Sequence, residues 1–82
     1  MMPDVLYLKF SELLRWYEGE CSKKQITFGD IKEKLPAYWR AITEKIEEME
    51  QAYFKDSLQG IEEAMGKIKK LYQKAVERMK SQ

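Results

Sequence analysis

Residues 36–80, PAYWRAITEKIEEMEQAYFKDSLQGIEEAMGKIKKLYQKAVERMK, make up more than half of the chain and decide its fold. Apolar residues recur at Ile42, Ile46, Met49 and Tyr53, spaced four, three and four apart. A second series runs through Phe54, Leu58, Ile61, Met65, Ile68, Tyr72, Ala75 and Met79, alternating four and three. A mean spacing near 3.5 is the period of a helix that lays one narrow seam against another helix. At about 100° per residue, Leu58 sits roughly 160° around the axis from Ile42, so the two series do not share a line. One unbroken rod of roughly 65 Å would show two faces to two partners. A break would let the chain fold back and set one face on the other. Lys55-Asp56-Ser57 offers that break, with Asp56 as N-cap and Gln59 three residues on as a capping-box partner. No Pro or Gly lies between Pro36 and Gly60, which keeps the rod in play, but the hairpin is preferred.

Working outward, Pro36 disfavours helical geometry at Leu35 and suits the first turn of the helix it opens. Before it, Thr27 and Asp30 have capping-box spacing, and Ile31 and Leu35 give a short helix one buried side. Nearer the N-terminus, Leu6, Phe10, Leu13, Leu14 and Tyr17 fall on one face of a helix that Pro3 and Asp4 would start. Leu8 fits that face badly. Gly19 is a natural stop, and Trp16 and Tyr17 are expected at the core's edge. The expected order is a helix at 4–19, a connector at 20–27, a short helix at 28–35, and helices at 36–54 and 57–80, the last two separate or continuous. This is an all-α fold in one domain, with bundle or coiled-coil-like packing completed by self-association.

Self-association is expected because 82 residues bury a limited core and other sources of stability are missing. Cys21 is alone, so no intrachain disulfide forms, and histidine is absent, which removes the common zinc sites. The expected interface is the second seam: Phe54, Leu58, Ile61, Met65, Ile68, Tyr72, Ala75 and Met79. The opening residues carry no basic stretch ahead of an apolar run, so no secretory leader is expected. No apolar run is long enough to span a bilayer. The expected setting is cytoplasmic, without membrane contact.

Net charge is +1, but the charges are sorted. From Glu44 to Glu63 seven acids meet only Lys45 and Lys55, whereas from Lys67 to Lys80 six bases meet only Glu77. A basic tail suits nucleic acid. It equally suits an antiparallel pairing of acidic with basic half, and bases suit a helix C-terminus.

The short helix, tight junction and longer helix have the outline of a helix-turn-helix over about 20 residues, with Ile31, Leu35, Ile42 and Ile46 at its buried positions. That resemblance implies a groove-facing side of Trp39, Arg40, Thr43 and Glu44. The basic tail would add Lys67, Lys69, Lys70 and Lys74 as further DNA contacts. The sequence departs from the motif at Lys32, where a small residue is usual, at Pro36, which replaces the turn glycine, and at Tyr38.

Catalysis is not expected. Glu47-Glu48 and Glu62-Glu63 point to different sides of a helix, and no glycine-rich phosphate loop occurs. Arg15, Arg40 and Arg78 lie off the apolar seams, so no inward cation awaits an anionic substrate. No cofactor, metal or small-molecule substrate is implied, and Cys21, with no histidine to activate it, reads as incidental. Two functions stay open: a self-associating accessory protein that binds DNA, and a helical subunit or adaptor with no nucleic-acid role.

Overall fold

A computed structural model describes residues 5–81, with side chains from residue 7 on. The start expected at Pro3-Asp4 and the side chain of Leu6 lie outside that range. Four helices follow in order: α1 Val5–Lys24, α2 Phe28–Lys34, α3 Pro36–Phe54 and α4 Leu58–Lys80. No strand occurs among the described residues.

The hairpin forms, and α3 and α4 are its two legs. The turn between them takes two geometries at once. The Ser57 N–H donates to the Ala52 carbonyl at 2.8 Å and the Asp56 N–H to the Tyr53 carbonyl at 3.0 Å, with Asp56 left-handed at φ 55°. This is a Schellman ending, which satisfies carbonyls that the last turn leaves open. Ser57 then caps α4, its Oγ accepting from the Gly60 N–H at 3.1 Å. The cap is therefore Ser57 and not Asp56, because Asp56 is spent on the left-handed position that Asp and Asn tolerate. Just beyond, the legs come close: a Cβ on Gly60 would stand 2.9 Å from the Ala52 Cβ.

Folding back brings the two apolar series together. Ile42 and Met49 of α3 and Ile61, Ile68, Tyr72 and Ala75 of α4 are all fully excluded from solvent. Helix α1 runs alongside α4, with the Lys9 ammonium 3.1 Å from Glu62 near one end and the Trp16 ring edge-on to Tyr72 farther along. Leu13 is the buried residue of α1, and Phe10, Trp16 and Tyr17 pack partly buried on the core. Leu14 and Leu8 are exposed, so the face expected to include Leu14 is narrower than its sequence implies. The Cα trace measures 45 × 23 × 16 Å, a thickness of about two helix layers at the usual 8–10 Å separation.

α1 does not stop at Gly19 but continues to Lys24, so the connector shrinks to Gln25-Ile26-Thr27. Gln25 ends the helix, at φ 61°, with its N–H on the Cys21 carbonyl at 2.8 Å and its side-chain amide on the Ser22 carbonyl at 3.0 Å. Glycine permits a left-handed stop without compelling one, and the extra turn half-buries Cys21.

Two tyrosines pin the shortened connector. Tyr72 Oη donates to the Ile26 carbonyl at 2.6 Å, and the Phe28 N–H donates to Tyr17 Oη at 2.7 Å. The Tyr17 and Phe28 rings stack at 4.0 Å between centroids. Burial pushes the Tyr17 phenol up to about 12 and the Tyr72 phenol higher still, with the neighbouring Cys21 acting in the same direction on both. Thr27 and Asp30 form the expected reciprocal box, which holds the Asp30 carboxyl below its ordinary range. Leu35 then closes α2 and opens α3 with Pro36 as the first helical residue, as the sequence implies.

Candidate functional site

The ridge expected to need another rod finds its cover within the same chain. Ile61, Met65, Ile68, Tyr72 and Ala75 belong to the core, and Met79 packs partly buried against it. None of the five buried residues is displayed to a second copy. Only Phe54 and Leu58, beside the hairpin turn, stay exposed, at 65% and 43%. The placement corrects the expected interface: α3 supplies the opposing face that a neighbouring molecule was expected to bring.

The seven residues expected to meet nucleic acid are not brought together. Trp39 is half-buried and packs on Phe28 at 5.5 Å between centroids, so it is an α2–α3 contact. Arg40 is exposed, and its carbonyl accepts from Thr43 Oγ1 at 2.8 Å. The same helix exposes Glu44, Glu47, Glu48 and Glu50, which makes its outer surface acidic and unsuited to a phosphate backbone. Lys69 lies over the Trp16 ring, Nζ 5.6 Å from its centroid, on the flank of α4 that α1 covers.

Lys67, Lys70 and Lys74 do gather. Together with Lys45 of α3 they surround Leu71 in a shallow depression of about 180 Å³. An adjoining hollow of about 210 Å³ shares Leu71 and adds Ala37, Tyr38 and Ala41. A third, of about 270 Å³, continues toward the turn past Ala52, Gly60, Ala64 and Lys67, with the carboxylates of Glu48 and Glu63 also on its rim. All three are lined by the hairpin region alone, with no residue of α1 or α2. They trace one groove along the open face of the hairpin.

Lysines at 67, 70 and 74 repeat at helical spacing, which puts them in a single stripe. Lys69 falls about 160° from Lys67 on the helical wheel, and Arg40 and Thr43 fall about 140–160° from Lys45 on theirs. Among the described residues, no carboxylate lies within 4.0 Å of Lys67, Lys70 or Lys74, so the acidic half does not neutralise the basic one by direct pairing. Lys45 does have a partner: its ammonium donates to Glu48 at 2.6 Å. That bond holds the Glu48 carboxyl below the ordinary range, with the field of Lys67 adding to the effect.

Lys45 and Leu71 were missing from the residues singled out by sequence. Lys45 stands among Glu44, Glu47 and Glu48, where a base reads as incidental, and only the fold places it across from α4. Leu71 breaks the alternating four-three series and so falls off the seam. That displacement was the available signal, because a leucine off the buried stripe of an amphipathic helix has to lie at a flank. No described helix is long and apolar enough to cross a membrane. Comparison with protein-family models, with curated proteins and with solved structures finds nothing that matches this chain.

Proposed function

We propose that the chain is a helical protein-interaction module, a subunit or adaptor that meets its partner through the open face of the α3–α4 hairpin. One observation carries this reading. Leu71 lies at the centre of a groove floored by Ala37, Tyr38 and Ala41 and rimmed by lysines, of which Lys67, Lys70 and Lys74 have no carboxylate within 4.0 Å among the described residues. An apolar centre with a polar rim is the anatomy of a protein contact. Leu71 and Tyr38 pack partly buried against the edge of the core and present their remaining surface to this groove.

The unpaired lysines also favour a second reading, in which the same face binds nucleic acid. Phosphate binding would be strong at low salt and fall steeply as salt rises, through counterion release. The acidic outer surface of α3 and the packing of Trp39 weigh against a helix-turn-helix mode, which needs that helix in the groove.

Affinity purification from extracts of the chain's own host tests the choice, comparing wild type with Leu71→Glu after nuclease treatment. The module reading expects a defined protein that survives nuclease and is lost with Leu71→Glu. Identical recoveries from both chains, or a recovery that nuclease abolishes, would count against it.

A further inference from the structure

The two walls of the groove carry different charge, and the difference selects an occupant. Around Leu71 the α4 wall presents Lys67, Lys70 and Lys74, and Glu63 joins that wall only toward the turn. The α3 wall is mixed: Glu44 and Glu48 lie within about 60° of Ala41 on the helical wheel, and Glu48 is tied to Lys45. A phosphate backbone carries one sign of charge along its length, so it would satisfy the α4 wall and be repelled by the α3 wall. An apolar floor gives it nothing. A helix can meet both walls, because its two flanks are independent of one another.

We propose that the groove binds an amphipathic helix of a partner protein, with its apolar stripe on Leu71, Ala41 and Tyr38 and a row of carboxylates turned toward α4. Charge complementarity sets the spacing of that row. Lysines at 67, 70 and 74 span about 10 Å at 1.5 Å per residue, and carboxylates repeated every three to four residues on the partner lie at the same pitch. The floor supports the geometry independently. Ala37, Ala41, Ala52 and Gly60 are small, and small side chains let a third helix settle between two others. This inference rests on reading the open face as an interaction surface and adds the chemistry of what lies there.

The probe is a labelled helical peptide with a leucine stripe and glutamates at positions i, i+3 and i+7 along one flank. Its control carries lysines at those three positions. Binding to the full chain is followed by fluorescence anisotropy at low and moderate salt, with circular dichroism confirming that each variant is folded. The acidic peptide should bind about tenfold more tightly than the basic one, the sum of three rim pairs each of modest worth. Lys67→Glu/Lys70→Glu should reverse that preference, and Leu71→Glu should abolish binding of both peptides. Both lysines are exposed, so their double variant keeps the test sharp even if Leu71→Glu perturbs the fold.

Equal binding of the two peptides, lost with Leu71→Glu, would overturn the charge assignment while leaving the groove as an interface. Failure of both peptides together with a salt-dependent shift of duplex DNA would overturn the inference and the interaction-module reading alike. A concentration-dependent dimer in sedimentation that Leu71→Glu converts to monomer would make the occupant a second copy, and would overturn the proposed partner.

Discussion

Two glycines in one helix should respond oppositely to the same substitution. Gly66 lies inside α4, and a Cβ placed on it meets no heavy atom within 4 Å. Gly66→Ala therefore gains helix propensity of about 1 kcal/mol and loses no packing. For a domain of this size that raises the melting temperature by about 4–8 °C. At Gly60 the added Cβ would stand 2.9 Å from Ala52 Cβ and 3.0 Å from Ser57 Oγ. Carbon atoms in good contact sit about 3.5–4.0 Å apart. A Cβ cannot swing aside, because its place is fixed by the backbone of α3, so the two legs must move apart where the turn is tightest. Overpacking of this kind costs about 1–3 kcal/mol. Disturbing the Ser57 cap adds a contribution of about 1 kcal/mol. The propensity gain is smaller in a first turn, so Gly60→Ala should melt several degrees lower than wild type. Thermal and urea unfolding followed by circular dichroism read both signs. Ala52→Gly combined with Gly60→Ala should recover part of the loss, since it removes the opposing methyl. Gly60→Ala melting as high as Gly66→Ala would refute the close approach of the legs.

Three further outcomes follow from the core. Tyr72→Phe leaves the buried Ile26 carbonyl without its donor, and should cost about 1–3 kcal/mol by urea unfolding while keeping the helical spectrum. Ile68→Lys places an ammonium where solvent does not reach; on a total stability of about 5–15 kcal/mol it should unfold the chain outright, and a folded variant with altered solution mass would instead return the ridge to an interface role. Stability should hold up to about pH 10 and fall above it. The unfolded tyrosines deprotonate near 10, while folded Tyr17, held up mainly by burial, stays protonated to about 12, so the unfolded state loses its proton first. Tyr17→Phe/Tyr72→Phe should flatten that fall relative to its own neutral-pH stability, and an unchanged alkaline slope would assign it to other groups.

Much of the fold was legible because its signals are local. Pro36 and Leu35 mark one boundary of α3 and Lys55-Asp56-Ser57 the other, and both lie where sequence spacing puts them. The capping box of Thr27 and Asp30 has the same character. Errors arose where two residues compete for one role. Asp56 and Ser57 are both good caps, but the Schellman ending needs a left-handed residue before the cap, which moves the cap to Ser57. The left-handed stop of α1 falls at Gln25 and not at Gly19, and the longer helix half-buries Cys21 near Tyr17 and Tyr72. The candidate site was harder to read for a different reason. A run of lysines in sequence lists Lys69 with Lys67, Lys70 and Lys74, although one step around the helix separates a covered flank from an open one. The seam, in turn, announced that it needed cover without saying from where. Two stripes offset by about 160° fit two partners or one fold-back equally well, and only the turn decides between them.

A helical hairpin has two grooves, one on each side of the plane through its legs, and this chain has enough residues to fill one. Helix α1, with α2 capping its end, fills the first using large side chains: Phe10, Leu13, Trp16 and Tyr17 meet Tyr72 and its neighbours. The second groove has small residues at its floor, and Leu71 and Tyr38 are its large apolar contributions. Had the second face existed only to meet water, charges of both signs interleaved along both walls would have served. Instead three lysines stand together on α4 within reach of a leucine, and Glu48 on the α3 wall is bonded to Lys45. Segregation of like charges costs the isolated chain some self-repulsion. A bound helix with carboxylates at matching pitch would turn that cost into attraction, so neutralising the stripe by Lys67→Gln/Lys70→Gln should raise the melting temperature of the free chain at low salt while weakening its hold on an acidic helix. Loss of stability on that substitution would mean that the lysines serve the fold, and the charge argument for the groove would fall with it.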